Sequence, residues 1–557
     1  MNDSFPTLTF PALLKRSANR YSQRPAMAFV ADTPITYHDF YERVLAVTAM
    51  LEKMGIKTND KVAILSANMP NWGVAYFAIT YMGAVVVPLL PDFSEQEIKN
   101  VLEHSEAKAM FVSRALITKV EKLKIGSLKT RIHIEDFSVC KGKELVFKLG
   151  AKPTNNYFVT EDMLAAIIYT SGTTGKSKGV MLTHRNICSN AVASRSIQDI
   201  TPDDRFLSIL PLSHTYENTI GFVLPFISGS SIYYLRKVPT PAVLLPALEL
   251  VKPTLMLSVP LIIEKIYRGK ILSAFNNKKI TKSLYQKPFF RKMLNRMAGR
   301  KLKAMFGGHL KFFGIGGAKL DKEVEAFLLE AKFPYAIGYG LTETSPLLAG
   351  VNPKQTKLQS TGPALEGVTL KINDPNPETG EGEIWAKGPS VMKGYYKEPK
   401  LTKAILTKDG WFKTGDLGFI DEDGFLFIRG RIKNVIVGSG GENIFPEDIE
   451  SVINNFPHVL DSLVVEMKGK LVALVHFDKE GVELKYREMK EKVADFSEFV
   501  EGKFVEMKND LHTYVNSKVN RFSRIAEVKL QEEEFVKTAT KKIKRFLYTD
   551  KNNKKTA

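Results

Sequence analysis

The chain has 557 residues, 44% hydrophobic and 25% charged, with a formal net charge of +19 from 79 Lys and Arg against 60 Asp and Glu. That balance excludes global disorder, the length provides for several packed units, and the positive charge favours anionic partners. Two cysteines, Cys140 and Cys188, exclude a disulfide scaffold and a multi-cysteine metal site and point to a reducing, cytoplasmic compartment.

The opening MNDSFPTLTFPALLKRS lacks the apolar core of a signal peptide, and no run of about 20 apolar residues predicts a membrane span. Helical spacing of apolar residues in ITYHDFYERVLAVTAMLEKMG predicts a helix that stops at Gly55. DKVAILSAN then reads as a buried strand, NWGVAYFAITYMG as a helix and AVVVPLL as a second strand. The alternation recurs at EIKNVLEHSEAKAMFVS and at PAVLLPALELVKPTLMLSVP, which predicts α/β layers with a largely parallel sheet. LAAIIY and VMLTH are strand-like and flank a polar, glycine-rich string.

From Lys265 to Lys311 there are fourteen Lys or Arg and no Asp or Glu. Within this stretch KPFFRKMLNRMAGRKLKAMF has the pattern of a basic amphipathic helix able to lie on anionic lipid. The commoner outcome of such a pattern is a solvated basic face over a core-facing stripe. Past residue 360, short apolar runs between Gly, Asp and Pro turns predict β-hairpins or a small barrel. After GRIKN the texture changes to a smaller α+β segment with a Lys-rich end. The division expected is therefore 1–430, a junction at 431–433, and 434–557.

Four strings carry chemistry. In YTSGTTGKSKG (Tyr169 to Gly179) the glycines let backbone amides approach an anion closely. Thr170, Ser171, Thr173 and Thr174 add hydroxyls there, and Lys176 and Lys178 add positive charge. The spacing is not that of a Walker A loop, and a strand rather than a helix is expected to follow. In GYGLTET (Gly338 to Thr344), Tyr339 can stack on a base, Thr342 can donate to a phosphate and Glu343 offers a hard oxygen to Mg²⁺. In WFKTGD (Trp411 to Asp416) and GRIKN (Gly430 to Asn434), Asp416 can accept ribose hydroxyls and Arg431 can clamp ribose or phosphate. In FVKTATKKIKR (Phe535 to Arg545) a lysine can reach a triphosphate, although basic C-terminal tails are common.

Together and in this order, the strings resemble the adenylate-forming (AMP-binding) superfamily of acyl-CoA synthetases, adenylation domains and luciferases, across essentially the whole chain. LPLSHTYE (Leu210 to Glu217) and TATKKIKR (Thr538 to Arg545) most resemble bacterial-type long-chain fatty acid–CoA ligases. The resemblance implies an α/β fold: a large N-terminal domain of layered α/β subdomains plus a small β-barrel, and a smaller mobile α+β C-terminal domain. It implies ATP and coenzyme A as co-substrates, Mg²⁺, and a fatty acid as the group activated.

Carried over by position, the resemblance puts the ATP phosphates at Thr170, Ser171, Gly172, Thr173, Thr174, Gly175 and Lys176, with Thr170 and Glu343 near Mg²⁺. Gly316, Gly317 and Ala318 with Gly338, Tyr339 and Gly340 form the adenine pocket, and Gly316 contributes to the acyl wall. Asp416 and Arg431 hold ribose, His214 lines the acyl entrance and Lys433 is the hinge. Gly440 and Gly441 open a coenzyme A tunnel. Lys542 aligns with the catalytic lysine, beside Lys541 where the superfamily usually has Gly. Thr342, Glu343 and Arg431 complete the catalytic set. The alternatives are an acyl-adenylate ligase that loads a carrier protein, a shorter-chain or aryl acid–CoA ligase, and a non-enzymatic basic membrane binder. The last explains the charge but not the ordered strings, and no nucleic-acid module is recognisable. A cytoplasmic protein follows, with residues 265–311 available for peripheral contact with the inner face of a membrane.

Overall fold

The computed structural model describes residues 4–140, 147–170, 177–276, 283–438, 442–486, 496–538 and 542–549. Local signals set the helices. The expected first long helix spans Tyr37–Lys53, with Thr36 and Asp39 forming a reciprocal capping box at its start. Gly55 follows at φ +78, the left-handed conformation that ends a helix cheaply. Ser94 with Glu97 and Thr183 with Asn186 cap Glu95–Ser105 and His184–Ala193 in the same way.

Two sheets form the core of the larger of two compact units, which takes in the described residues up to Ile428 apart from Gly415–Gly418. The first has eight strands in the order Leu347–Gly350, Tyr335–Gly340, Phe312–Ile315, Leu255–Ser258, Arg205–Ser208, Ser231–Tyr234, Pro25–Phe29, Ile35–Thr36. Its six central strands are parallel and the two edge pairs antiparallel, so the largely parallel sheet expected from the βα alternation is present. The second has seven, in the order Gly394–Tyr395, Lys178–Thr183, Leu164–Thr170, Val85–Leu89, Lys61–Leu65, Ala109–Val112, Thr130–His133. The stretch past residue 360 forms a four-stranded sheet of Thr369–Asn373, Gly382–Lys387, Phe412–Ile420 and Leu426–Arg431.

The eight-stranded sheet is buried on both faces, and its residues alternate between them with the two-residue period of a strand. Leu207, Met256, Phe313, Ile315 and Tyr335 face a core shared with the helices Pro241–Val251, Pro260–Ile266, Pro288–Met305 and Lys322–Glu330. Phe206, Leu255 and Leu257 face the opposite way, into the core that contains Trp72, Tyr76, Phe77 and Phe222. Neighbouring strands Arg205–Ser208 and Leu255–Ser258 continue toward opposite edges of the sheet, a topological switch point of the kind at which α/β sheets bind ligands.

The second unit holds Gly415–Gly418 and the described residues from Arg429 onward. Its sheet runs Val459–Met467, Lys470–Phe477, Glu527–Leu530, the first pair antiparallel and the second parallel. Helices Pro446–Asn454 and Phe496–Lys518 supply Ile449, Ile453, Leu511 and Val515 to its core. Among the described residues of the chain, no helix is long and apolar enough to cross a membrane.

Candidate functional site

In the larger unit two of the predicted strings are joined, one from the end of strand Leu164–Thr170 and one from the end of Tyr335–Gly340. Strand Leu164–Thr170 pairs antiparallel with Lys178–Thr183, with Thr170 opposite Lys178, so the glycine-rich string joins two paired strands and a strand follows it, as expected. Ser171, Gly172, Thr173, Thr174, Gly175 and Lys176 lie outside the described residues. Val180 of the second strand pairs in turn with Tyr395. The Tyr395 hydroxyl donates to Glu343 Oε1 at 2.8 Å, and the Met392 amide donates to the Glu343 carbonyl at 2.8 Å. Lys178 Nζ stands 5.1 Å from the centre of the Tyr395 ring. Thr170, Lys178, Tyr395 and Glu343 are thus joined through one strand edge, although the sequence separates them widely.

Thr342 meets the LPLSHTYE segment through a hydrogen bond from Thr215 Oγ1 at 3.3 Å. In that segment the Tyr216 amide donates to His214 Nδ1 at 3.3 Å, which leaves the neutral ring's proton on Nε2. Asn68 holds the segment in place. Its Nδ2 donates to the Leu210 carbonyl at 2.6 Å and to Ser208 Oγ at 3.0 Å, and its Oδ1 accepts from the Leu212 amide at 2.9 Å. Ser208 Oγ donates onward to Glu217 Oε1 at 2.5 Å. Glu217 is buried and burial raises its pKa to about 8. Its Oε2 has no hydrogen-bond partner among the described residues.

The glycines have local reasons. Tyr216 crowds the places where Cβ atoms on Gly314 and Gly316 would stand, its hydroxyl 3.0 Å from the first and its ring 3.1 Å from the second. Gly317 adopts φ +85, which only glycine takes without strain, and Gly317 and Ala318 are exposed at the end of strand Phe312–Ile315. A Cβ on Gly340 would overlap the Pro346 carbonyl oxygen across the turn. Gly338 and Tyr339 pair with Gly350 and Ala349, and Tyr339 packs half-buried against Ala349, Ile384 and Leu426.

Beside these residues an apolar cleft encloses about 530 Å³, part of it open to solvent. Phe206, Leu255, Leu257, Phe312 and Gly314 form its sheet wall, and Tyr216, Ile220 and Leu224 its helical wall. The helical wall includes a π-helical stretch, Glu217–Val223, a wide turn common at functional sites. Gly338 and Gly350 close one side. The lining suits a hydrocarbon chain and offers it almost no polar partner.

In the second unit Arg431 Nε donates to Asp416 Oδ1 at 2.6 Å. Asp416 is buried, whereas Arg431 is about half exposed, so the pair presents a guanidinium already oriented toward solvent. Lys433 lies in the short 3₁₀ turn Ile432–Asn434. The strands Ile436–Val437 and Asn443–Ile444 pair antiparallel, while Gly440 and Gly441 between them lie outside the described residues. Lys542 is described and exposed; Lys541 lies outside the described residues. The Lys542 amide donates to Thr538 Oγ1 at 3.2 Å and its carbonyl accepts from the Thr538 amide at 2.8 Å. Ile543 packs on the cluster of Leu463, Val465, Val472 and Phe535, so Lys542 belongs to an anchored segment.

Residues 14–396 match the family described as AMP-binding enzyme, over more than half of the chain. The chain belongs to that family. A long-chain-fatty-acid–CoA ligase of Mycobacterium bovis is 30% identical over 491 residues, covering 81% of this chain and 78% of that protein. Long chain acyl-CoA synthetase 1 of Arabidopsis thaliana is 30% identical over 557 residues, covering 90% and 83%. Among solved structures, the O-succinylbenzoate coenzyme A synthetase of Bacillus subtilis in complex with ATP and magnesium ion matches with a TM-score of 0.75 at 23% identity, across 96% of this chain and 98% of that one. The likeness is one of fold: α/β layers shared with that synthetase.

Within this AMP-binding enzyme, sequence reasoning overlooked Tyr395, Asn68 and the Ser208–Glu217 contact. Tyr395 stands in GYYKEP, which signals a turn but not its partner. Among the described residues no group of three or more His, Cys, Asp or Glu is arranged to hold a metal. A single carboxylate plus a hydroxyl suits Mg²⁺, which binds through one or two carboxylates and the phosphates of its nucleotide. Glu343, with one oxygen held by Tyr395, and Thr170 fit that donor set.

Proposed function

We propose that the enzyme activates a long-chain fatty acid with ATP to an acyl-adenylate and transfers the acyl group to coenzyme A. The observation that carries this is the apolar cleft at the switch point, opening beside Tyr216 and Gly338 and lined by apolar side chains on both walls. The relatives named long-chain ligases, about 30% identical over most of the chain, support the same substrate class.

A carboxylate acylates poorly because oxide would have to leave. In the first step a carboxylate oxygen attacks the α-phosphorus of ATP, the bond from that phosphorus to the bridging oxygen breaks, and pyrophosphate departs. In the second, the coenzyme A sulfur attacks the adenylate carbonyl carbon, the bond to the AMP oxygen breaks, and the thiol proton passes to solvent. A free thiol has a pKa of about 8.5, so some thiolate exists near neutrality, and no cysteine of this chain is needed. Both partners in the first step are anionic, so catalysis rests on positioning and charge neutralisation.

The roles follow from that need. The amides and hydroxyls of Thr170 to Lys176 cradle the phosphates, Thr342 donates to a phosphate, and Lys542 neutralises charge developing at the α-phosphate. Gly316–Ala318 and Gly338–Gly340 receive adenine, while Asp416 and Arg431 hold the ribose hydroxyls. His214 stands at the acyl entrance. Glu343 and Thr170, together with the phosphates of the nucleotide, would hold Mg²⁺, and the ion would supply further charge neutralisation. Lys542 would obstruct the second step. We therefore assign the division 1–430, 431–433 and 434–557 a mechanical role, in which the C-terminal segment pivots at Lys433, withdraws Lys542 and brings Gly440 and Gly441 to the pantetheine arm. Peripheral attachment to a membrane belongs to the same reading, since long acyl chains partition into bilayers.

ATP–pyrophosphate exchange across acids from acetate to oleate tests the reading, followed by transfer assays with coenzyme A and with a carrier protein. Exchange that rises with chain length and transfer to coenzyme A are expected. Absence of exchange with every acid overturns the proposal, and transfer to the carrier alone reassigns the acceptor. Lys542→Ala should slow adenylate formation on the order of 10²–10³-fold. It should leave thioester formation from supplied acyl-AMP near wild type; equal loss of both steps would refute the pivoting assignment.

A further inference from the structure

Helix Pro288–Met305 carries two apolar faces. One is packed: Asn295, Gly299 and Leu302 are buried, and a Cβ on Gly299 would overlap the Ala331 carbonyl oxygen beyond helix Lys322–Glu330. Arg291 and Asn295 fasten that side to Glu330, each at 2.7 Å. At about 100° per residue, Phe289, Met293 and Met297 fall on the opposite side. They are 76%, 45% and 50% exposed and, at a four-residue spacing, make a ridge along the helix. Lys292, Arg296, Arg300, Lys301 and Lys303 are exposed around it, and none forms an ion pair among the described residues.

We infer that this ridge and its cations dock the protein on an anionic bilayer, with Phe289, Met293 and Met297 entering the headgroup boundary. The inference rests on the fatty-acid reading only for its purpose; its physical basis is the surface itself. Stable attachment takes two signals, apolar insertion and a polybasic patch, and this helix supplies both. The ridge is paired with charge of one sign, which excludes the obvious alternative: a two-fold contact with a second copy would set five cations against the same five. No acidic residue from 265 to 311 tempers that repulsion. Anionic lipid, by contrast, complements the patch. The helix packs on the sheet face opposite the cleft wall, so the inference concerns docking and not extraction of the acid through this helix.

Co-sedimentation of the full chain with phosphatidylcholine vesicles, with and without phosphatidylglycerol, tests this in the absence of substrates. Binding to the anionic vesicles is expected, falling about tenfold or more in neutral vesicles or at about 0.5 M salt. Two variants separate the signals: Phe289→Ser/Met293→Ser/Met297→Ser and Lys292→Glu/Arg296→Glu/Arg300→Glu. Each should lose binding by about tenfold or more while keeping exchange activity on a soluble acid without vesicles. Wild-type sedimentation of both variants, or no wild-type binding to anionic vesicles, overturns the inference. So does a dimer seen by analytical ultracentrifugation that the ridge variant abolishes without changing vesicle binding. Because binding is read without substrates and exchange without lipid, failure of one does not imitate failure of the other.

Discussion

Tyr395 reaches Glu343 from a strand that is fixed on its other edge by pairing with Val180, so the tyrosine hydroxyl arrives with little freedom left to lose. A hydrogen bond to an ionised group contributes about 1.5–3 kcal/mol. Tyr395→Phe should therefore weaken magnesium-dependent ATP binding by roughly tenfold, read by calorimetric titration with and without Mg²⁺. Its melting temperature should stay within about 2 °C of wild type, because the ring and its packing remain. Equal loss of ATP binding with and without the metal would show that the hydroxyl does not act through Glu343. The sequence could announce Thr342 and Glu343 because hydroxyl, carboxylate and glycines stand side by side in one string. It could not announce Tyr395, since the two partners lie 52 residues apart and nothing local marks the contact.

Strand Tyr335–Gly340 and its antiparallel neighbour Leu347–Gly350 show what an element needs from its sequence. Their register shifts between Tyr339 and Gly340, where the backbone passes close under Pro346. Gly340→Ala places a methyl group against that carbonyl and should cost about 1–3 kcal/mol, lowering the melting temperature and weakening ATP binding together. Unchanged stability would mean that the turn yields easily. Helices such as Tyr37–Lys53 were legible because capping residues and the apolar period agree, and strands such as Lys61–Leu65 because short apolar runs stand between turn residues. Strand order was not legible. A two-residue period records that a strand has two faces and says nothing of which strand lies beside it. The π-helical stretch Glu217–Val223 was hidden for a related reason, since its sequence, ENTIGFV, carries no residue pattern that marks a widened turn.

Across the larger unit, Asn68, Ser208 and Glu217 link the end of a strand in one sheet to the other sheet and to the helical wall of the cleft. Burial holds the Glu217 carboxyl neutral, with a pKa of about 8 against an ordinary 4.5. A folded-state pKa raised in this way contributes stability that is full below the unfolded value and is lost as pH rises toward the folded one. Between about pH 5 and 8 the group should remove a few kcal/mol. Glu217→Gln, which stays neutral, should be spared that loss. Its melting temperature relative to wild type should then rise from pH 5 to pH 8, and a difference that stays flat would show that Glu217 ionises normally. The ordered strings made the general architecture legible, because adenylate-forming chains share their sequence order. The link between the two sheets was not, because its three members are distant in sequence and individually ordinary.

One feature of the eight-stranded sheet bears on how such a protein can change over time. Along Leu255–Ser258, Leu257 lines the cleft while Met256, one step away, supports the layer that carries the basic helix. Mutation of Leu255 or Leu257 can reshape the cleft, while drift at Met256 adjusts the scaffold behind. The shape of the cleft and the layer that carries the basic helix are thus separately heritable, written on opposite sides of the same few residues.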